Sequence, residues 1–146
     1  MKTLYHYTSL EHARQIIADG MIRTTEPNLS PDCRSDECGT PQVVWLTTDG
    51  GLKHTHGLDC PVTGKNRVRF TVKLPTRDAH KWKEWAVRKG IDKRWMRALM
   101  AAGGGALASY TWRVIERPIT WPRWVEVLDL QTGERLWEPT GRRDAS

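Results

Sequence analysis

Leu4-Tyr5-His6-Tyr7-Thr8 opens the chain, and Ser9-Leu10-Glu11-His12-Ala13-Arg14-Gln15-Ile16-Ile17-Ala18-Asp19-Gly20 follows without a break. The pattern predicts a short strand that runs directly into a helix. Thr8 to Glu11 has the S/T-x-x-E spacing of a capping box, in which each side chain satisfies a backbone amide of the other residue. Leu10, Ala13, Ile16 and Ile17 make one apolar stripe at helical spacing, and Gly20 supplies the left-handed stop. Tyr5, His6 and Tyr7 place a bulky polar-tipped side chain at three successive strand positions, so both faces of the strand receive one. Imidazole and aromatic groups at a strand end, beside a helix N-terminus, suit an anionic ligand that carries a ring. A lone histidine in such a strand is also commonly a packed, hydrogen-bonded residue.

Outward from this stretch, 146 residues with 38% hydrophobic content and eight tryptophans fit one globular domain, expected over 1–138, with a flexible tail over 139–146. The tryptophans, Trp45 through Trp137, are expected mainly in the core. A formal charge of +6 favours encounter with phosphate-rich partners without dictating a fold. The densest basic run lies between Lys81 and Arg97, where Lys81, Lys83, Arg88, Lys89, Lys93, Arg94 and Arg97 outweigh Glu84 and Asp92. It reads as a solvated helical face or as a surface for nucleic acid or an anionic protein. No signal-peptide run or membrane span is visible, which makes a soluble, cytoplasmic protein with no membrane association the expectation. Three cysteines argue against a closed disulfide framework.

Further along, residues 26–41 read as a long polar loop. Gln42–Thr48 is a β-branched and aromatic strand of buried type. Arg67–Leu74 alternates with period two, directing Val68, Phe70, Val72 and Leu74 to the core. A mid-chain helical pair is expected over Ala79–Lys89 and Asp92–Ala102, and strands over Tyr110–Glu116, Trp124–Leu130 and Arg135–Trp137. The order of elements indicates an α+β fold.

Glu126 is the main carboxylate candidate. Plain alternation puts it on the same strand face as Trp124 and Leu128, where partial desolvation would favour a functional use. An edge strand with Glu126 in water is the competing reading. Trp45-Leu46-Thr47-Thr48-Asp49 offers hydroxyls able to bond a ribose or an amide, although such residues are also ordinary strand formers. Cys33, Cys38, His54, His56 and Cys60 are weak candidate metal ligands, because their spacing matches no C-x2-C knuckle; no metal site is assigned. GxGxxG, P-loop lysine, G-x-S-x-G and H-E-x-x-H motifs are absent.

Leu4-Tyr5-His6-Tyr7-Thr8-Ser9, the helix ending Asp19-Gly20-Met21-Ile22, and Val44-Trp45-Leu46-Thr47-Thr48 together resemble the opening of the ADP-ribosyltransferase-like superfamily. The likeness is to members with a histidine on the first strand, including small bacterial or phage toxin and effector types. It covers about the first 50 residues and extends loosely to the last strand pair. It implies a split β-sheet core with an N-terminal helix and the mid-chain helical pair, and NAD as the substrate. By this resemblance His6 would hold the nicotinamide ribose, and Thr8 would lie near the adenosine-side ribose or phosphates. Tyr7 or Trp45 would stack on nicotinamide, with Thr47 close by. Arg23 would touch the pyrophosphate, and Glu126 would be the catalytic glutamate, with Asp129 and Glu116 as fallbacks. A carboxylate on the ribose 2′-hydroxyl gains value as the sugar becomes oxocarbenium-like, which is stabilisation confined to the transition state.

Two functions follow as expectations. The first is NAD-dependent mono-ADP-ribosyl transfer to a macromolecular acceptor, protein or nucleic acid. The second is a non-catalytic basic module that binds nucleic acid or a partner protein through the region around Lys81–Arg97. The first requires His6 and Glu126 to meet across a single cleft.

Overall fold

The computed structural model describes residues 1–24, 42–50, 67–102 and 109–139. Its centre is the opening strand, β1 (Lys2–Thr8), which passes into α1 (Leu10–Asp19). The helix is capped one residue later than the sequence suggests. Ser9, not Thr8, is the N-cap, and its hydroxyl accepts the His12 amide at 3.2 Å. Both hydroxyl residues could cap, but Thr8 is still a strand residue and buried, so Ser9 is the first position free to turn. Gly20 closes the helix at φ 75°, with its amide bonded to the Ile16 carbonyl at 2.9 Å.

The remaining elements are β2 (Met21–Ile22), β3 (Val44–Thr47), β4 (Val68–Leu74), β5 (His80–Lys81), α2 (Trp82–Arg88), α3 (Lys93–Ala102), β6 (Trp112–Ile115), β7 (Ile119–Thr120), β8 (Trp124–Asp129) and β9 (Arg135–Trp137). Seven strands form one antiparallel sheet in the order β5-β6-β3-β1-β4-β8-β9, and β2 pairs with β7 in a separate two-stranded ribbon. The expected α+β class holds in this form, with a mostly antiparallel sheet and helices at the front and middle of the chain. Asp92 caps α3 as expected, its carboxylate accepting the Arg94 amide at 2.8 Å. No helix of the described residues is long and apolar enough to cross a membrane.

Each sheet face has its own core. On one, Leu4, Leu46, Phe70, Val72 and Val127 pack with Ala13 of α1 and with Ile22 and Ile119 of the ribbon. On the other, Val43, Trp82, Trp85, Met96, Trp112 and Val114 pack together with Trp45 against them. Trp82 meets Trp112 edge-on at 5.1 Å, and Trp45 meets Trp112 edge-on at 5.8 Å. Burying such large rings supplies much of the driving force in a chain of modest hydrophobic content.

The period-two reading of β4 is correct for Val68, Phe70, Val72 and Leu74, all of them buried. In β8 simple alternation fails. Thr71 pairs with Glu126 and Val72 with Trp124, which leaves Val125 as an extra residue in a β-bulge. Trp124 therefore joins the α1-side core beside Phe70, at 5.3 Å, while Glu126 stands on the opposite face. The shared face expected for Trp124 and Glu126 is thereby corrected.

Candidate functional site

The sheet register decides whether His6 and Glu126 can cooperate. His6 pairs with Phe70, and Phe70 with Val127; Tyr5 pairs with Thr71, and Thr71 with Glu126. Residues paired across neighbouring strands point to the same side of a sheet, and consecutive residues point to opposite sides. His6 and Glu126 consequently occupy opposite faces, and the cleft expected between them does not form.

Each has its own setting. His6 Nδ1 lies 2.9 Å from the Trp45 carbonyl. A carbonyl only accepts, so Nδ1 carries the hydrogen and the lone pair of the neutral ring sits on Nε2. The imidazole also meets the Phe70 ring edge-on at 6.2 Å. Glu126 lies between two guanidinium groups, 3.6 Å from Arg69 Nη2 and 3.4 Å from Arg135 Nε. Arg69 stacks over the Tyr5 ring at 5.5 Å and donates to the Gly50 carbonyl at 2.6 Å. Gly50 is held close under this group: a Cβ there would come within 2.6 Å of the Tyr5 ring.

The other sequence candidates are engaged in the fold. Tyr7 is buried, and its hydroxyl donates to the Asp49 carbonyl at 3.2 Å. Thr8 is buried at the end of β1. Trp45 belongs to the tryptophan cluster, and Thr47 is buried, its hydroxyl donating to the Thr111 hydroxyl at 2.8 Å and accepting the Asp49 amide at 3.1 Å. Arg23 is exposed and pairs with Asp19 at 3.3 Å, one helical turn back. Of the fallback carboxylates, Asp129 shares a sheet face with His6, since Thr8 pairs with Val68 and Val68 with Asp129, but both fallbacks are engaged elsewhere. Glu116 accepts from Trp85 Nε1 at 2.7 Å and pairs with Lys89 at 3.0 Å. The Trp85 hydrogen bond, chiefly, holds its carboxyl below the usual range. Asp129 is buried on Arg67 and two turn amides. Cys33, Cys38, His54, His56 and Cys60 lie outside the described residues. Among those described, no group of three or more His, Cys, Asp or Glu is placed to hold a metal ion.

A different constellation gathers at the β5 edge. An open pocket of about 270 Å³ is lined by Lys2, Arg77, Lys81, Arg88 and Arg113, with Glu84 as its one carboxylate. The topology assembles it from distant segments: the start of β1, the turn after β4, β5 with α2, and β6. Lys81 pairs with Arg113 across β5 and β6, so both point to one side. Arg88 donates to His80 Nδ1 at 3.3 Å, which orients its guanidinium along the rim. Arg113 forms the floor. It is 9% exposed, and its Nη1 donates to the carbonyls of Tyr110 and Trp112, each at 2.9 Å. Burial lowers its proton affinity, and the field of Glu84 acts the other way. The basic run from Lys81 was legible in the sequence. Lys2, Arg77 and Arg113 were not part of that reading; the available signal was an arginine between Trp112 and Val114 in a strand otherwise apolar.

Comparison with known proteins finds no matching family model and no significant match among curated proteins or solved structures.

Proposed function

We propose that the protein is a nucleic-acid-binding module whose working surface is the basic pocket at β5 and α2. The observation that carries this is the convergence there of five cationic side chains against one carboxylate. Lys2, Arg77 and Lys81 make no ion pair among the described residues, so their charge is available to a ligand. Outside the pocket lining, Tyr110, whose backbone carbonyl accepts from Arg113, is exposed with Lys83 Nζ 4.3 Å from its ring centroid. An exposed aromatic ring on a basic surface can stack an unpaired base, which favours a single strand.

Phosphate contacts release condensed counterions, so binding must weaken with salt in proportion to the number of contacts. Five cations set a limit of roughly −3.5 on the slope of log K against log salt for a single strand, reached only if each meets its own phosphate, and a shared phosphate gives a shallower slope. Fluorescence anisotropy of a labelled oligonucleotide across 50–300 mM salt measures it. Lys81→Glu with Arg88→Glu is expected to flatten the slope and to weaken binding at least tenfold, and added NAD to leave binding unchanged. Salt-independent binding would rule the proposal out.

NAD-dependent ADP-ribosyl transfer to a macromolecular acceptor, of toxin or effector type, is the second reading. The hydrogen bond from His6 Nδ1 to the Trp45 carbonyl, which fixes the ring on β1, is the observation that favours it. Glu126 is excluded from that role by its face of the sheet, so this reading needs another carboxylate. It predicts nicotinamide release from NAD that is lost in His6→Ala and kept in Glu126→Gln. An inactive wild-type protein, with and without cell lysate as acceptor, would dismiss it.

A further inference from the structure

The charge balance of the β5 pocket exceeds what a strand's internal backbone requires. Each phosphodiester carries one negative charge, whereas a phosphate monoester carries about −1.5 to −2 at neutral pH and offers three strong acceptor oxygens. Five cations around a space of about 270 Å³, with one carboxylate among them, match the doubly charged group better. That volume is roughly nine times the share of one water in the liquid, enough for a phosphate and part of its sugar.

The floor makes the match more specific. Both Nη1 hydrogens of Arg113 are spent on backbone carbonyls, but Nε and Nη2 have no hydrogen-bond acceptor among the described residues. Those two nitrogens form the side-on edge of a guanidinium, whose parallel N–H bonds grip two oxygens of one anion. Elsewhere in this protein Arg67 uses the same edge on Asp129, with Nε at 3.4 Å from one oxygen and Nη2 at 3.0 Å from the other. Arg113 is 9% exposed as a residue, and it lines the open pocket with its Nε and Nη2 still available to an anion. We infer that the pocket binds a phosphate monoester, held side-on by Arg113 and neutralised by Lys2, Arg77, Lys81 and Arg88, in preference to an internal phosphodiester. The inference rests on the nucleic-acid reading in assigning the monoester to a strand end; a free nucleotide offers the same group.

The test compares one single-stranded oligonucleotide carrying a 5′-phosphate, a 3′-phosphate or hydroxyls at both ends, by anisotropy at fixed salt. A phosphorylated end is expected to bind at least tenfold more tightly. Excess inorganic phosphate should erase that preference while leaving the weaker salt-dependent binding. Arg113→Lys should lose the preference, because an ammonium cannot reproduce the side-on pair. If thermal melting shows that variant unfolded, Lys81→Gln at the rim must reduce the preference instead. Equal affinity for the phosphorylated and hydroxyl strands would overturn the inference and leave the nucleic-acid reading intact. Loss of all oligonucleotide binding, with a mononucleotide still bound through Arg113, would overturn the reading while supporting the monoester pocket.

Discussion

Trp82→Ala is expected to lower the unfolding free energy by about 3–5 kcal/mol, the range for removing a large aromatic from a core. Trp82 is fully buried and packs between Trp45, at 6.1 Å, and Trp112, at 5.1 Å. A loss of that size is a large share of the 5–15 kcal/mol that holds a typical domain together. It would also detach the start of α2, which carries Glu84 and Arg88 to the pocket, so binding should fail with folding. Trp82→Phe separates two contributions. The indole Nε1 is buried with no hydrogen-bond partner among the described residues, and such an unmatched donor is itself destabilising. Phenylalanine leaves a smaller void and removes the orphan N–H, so its cost should stay below about 2 kcal/mol. Urea denaturation followed by tryptophan fluorescence measures both. Equal losses in the two variants would mean that the ring's packing is not what anchors α2.

Asp129→Ala is the second large effect, at about 2–4 kcal/mol, as for a buried charged acceptor removed from several donors. Its carboxylate takes the Arg67 side-on pair and the amides of Gln131 and Thr132, at 3.0 and 3.4 Å. The backbone of the same residue closes the turn into β9, its amide donating to the Glu134 carbonyl at 2.8 Å. The Arg67 hydrogen bond chiefly, with the turn amides, outweighs burial and holds the Asp129 carboxyl below its ordinary range. A depressed carboxylate contributes stability that is fully present above the unfolded value of about 3.9 and is lost as pH falls through the lower folded value. The gap between wild type and Asp129→Ala should therefore be constant from neutral pH down to about 5, and narrow in acid below 4. Denaturation series at pH 7 and pH 3 check the sign. A gap that widens in acid would contradict the assignment.

Local patterns carried the elements well where one signal acted alone. Gly20 could be read as a stop because no other residue nearby tolerates φ 75° at low cost. The alternation in Val68–Leu74 was clear because the extra residue of the β4–β8 bulge lies in β8 and leaves β4 itself regular. Thr8 and Ser9 were ambiguous, as both carry a hydroxyl at a plausible cap, and only burial of Thr8 in β1 separates them. The pairing of β2 with β7 escaped notice because two residues each give no period from which a partner could be read. Val125 had the largest consequence: a single extra residue moved Glu126 to the face opposite His6 and removed the expected cleft. The pocket was hidden for another reason. Lys2 and Arg113 are 111 positions apart by their numbering, and only the sheet order brings them to one cavity.

The location of the working surface can be read directly by NMR, titrating the ¹⁵N-labelled protein with a 5′-phosphorylated oligonucleotide. Signals from Lys2, from residues 76–88 and from the Arg113 backbone and Nε–H should shift together and saturably, with Glu126 unmoved. Shifts centred on Tyr5 to Ser9, with the Arg113 Nε–H unchanged, would contradict the account.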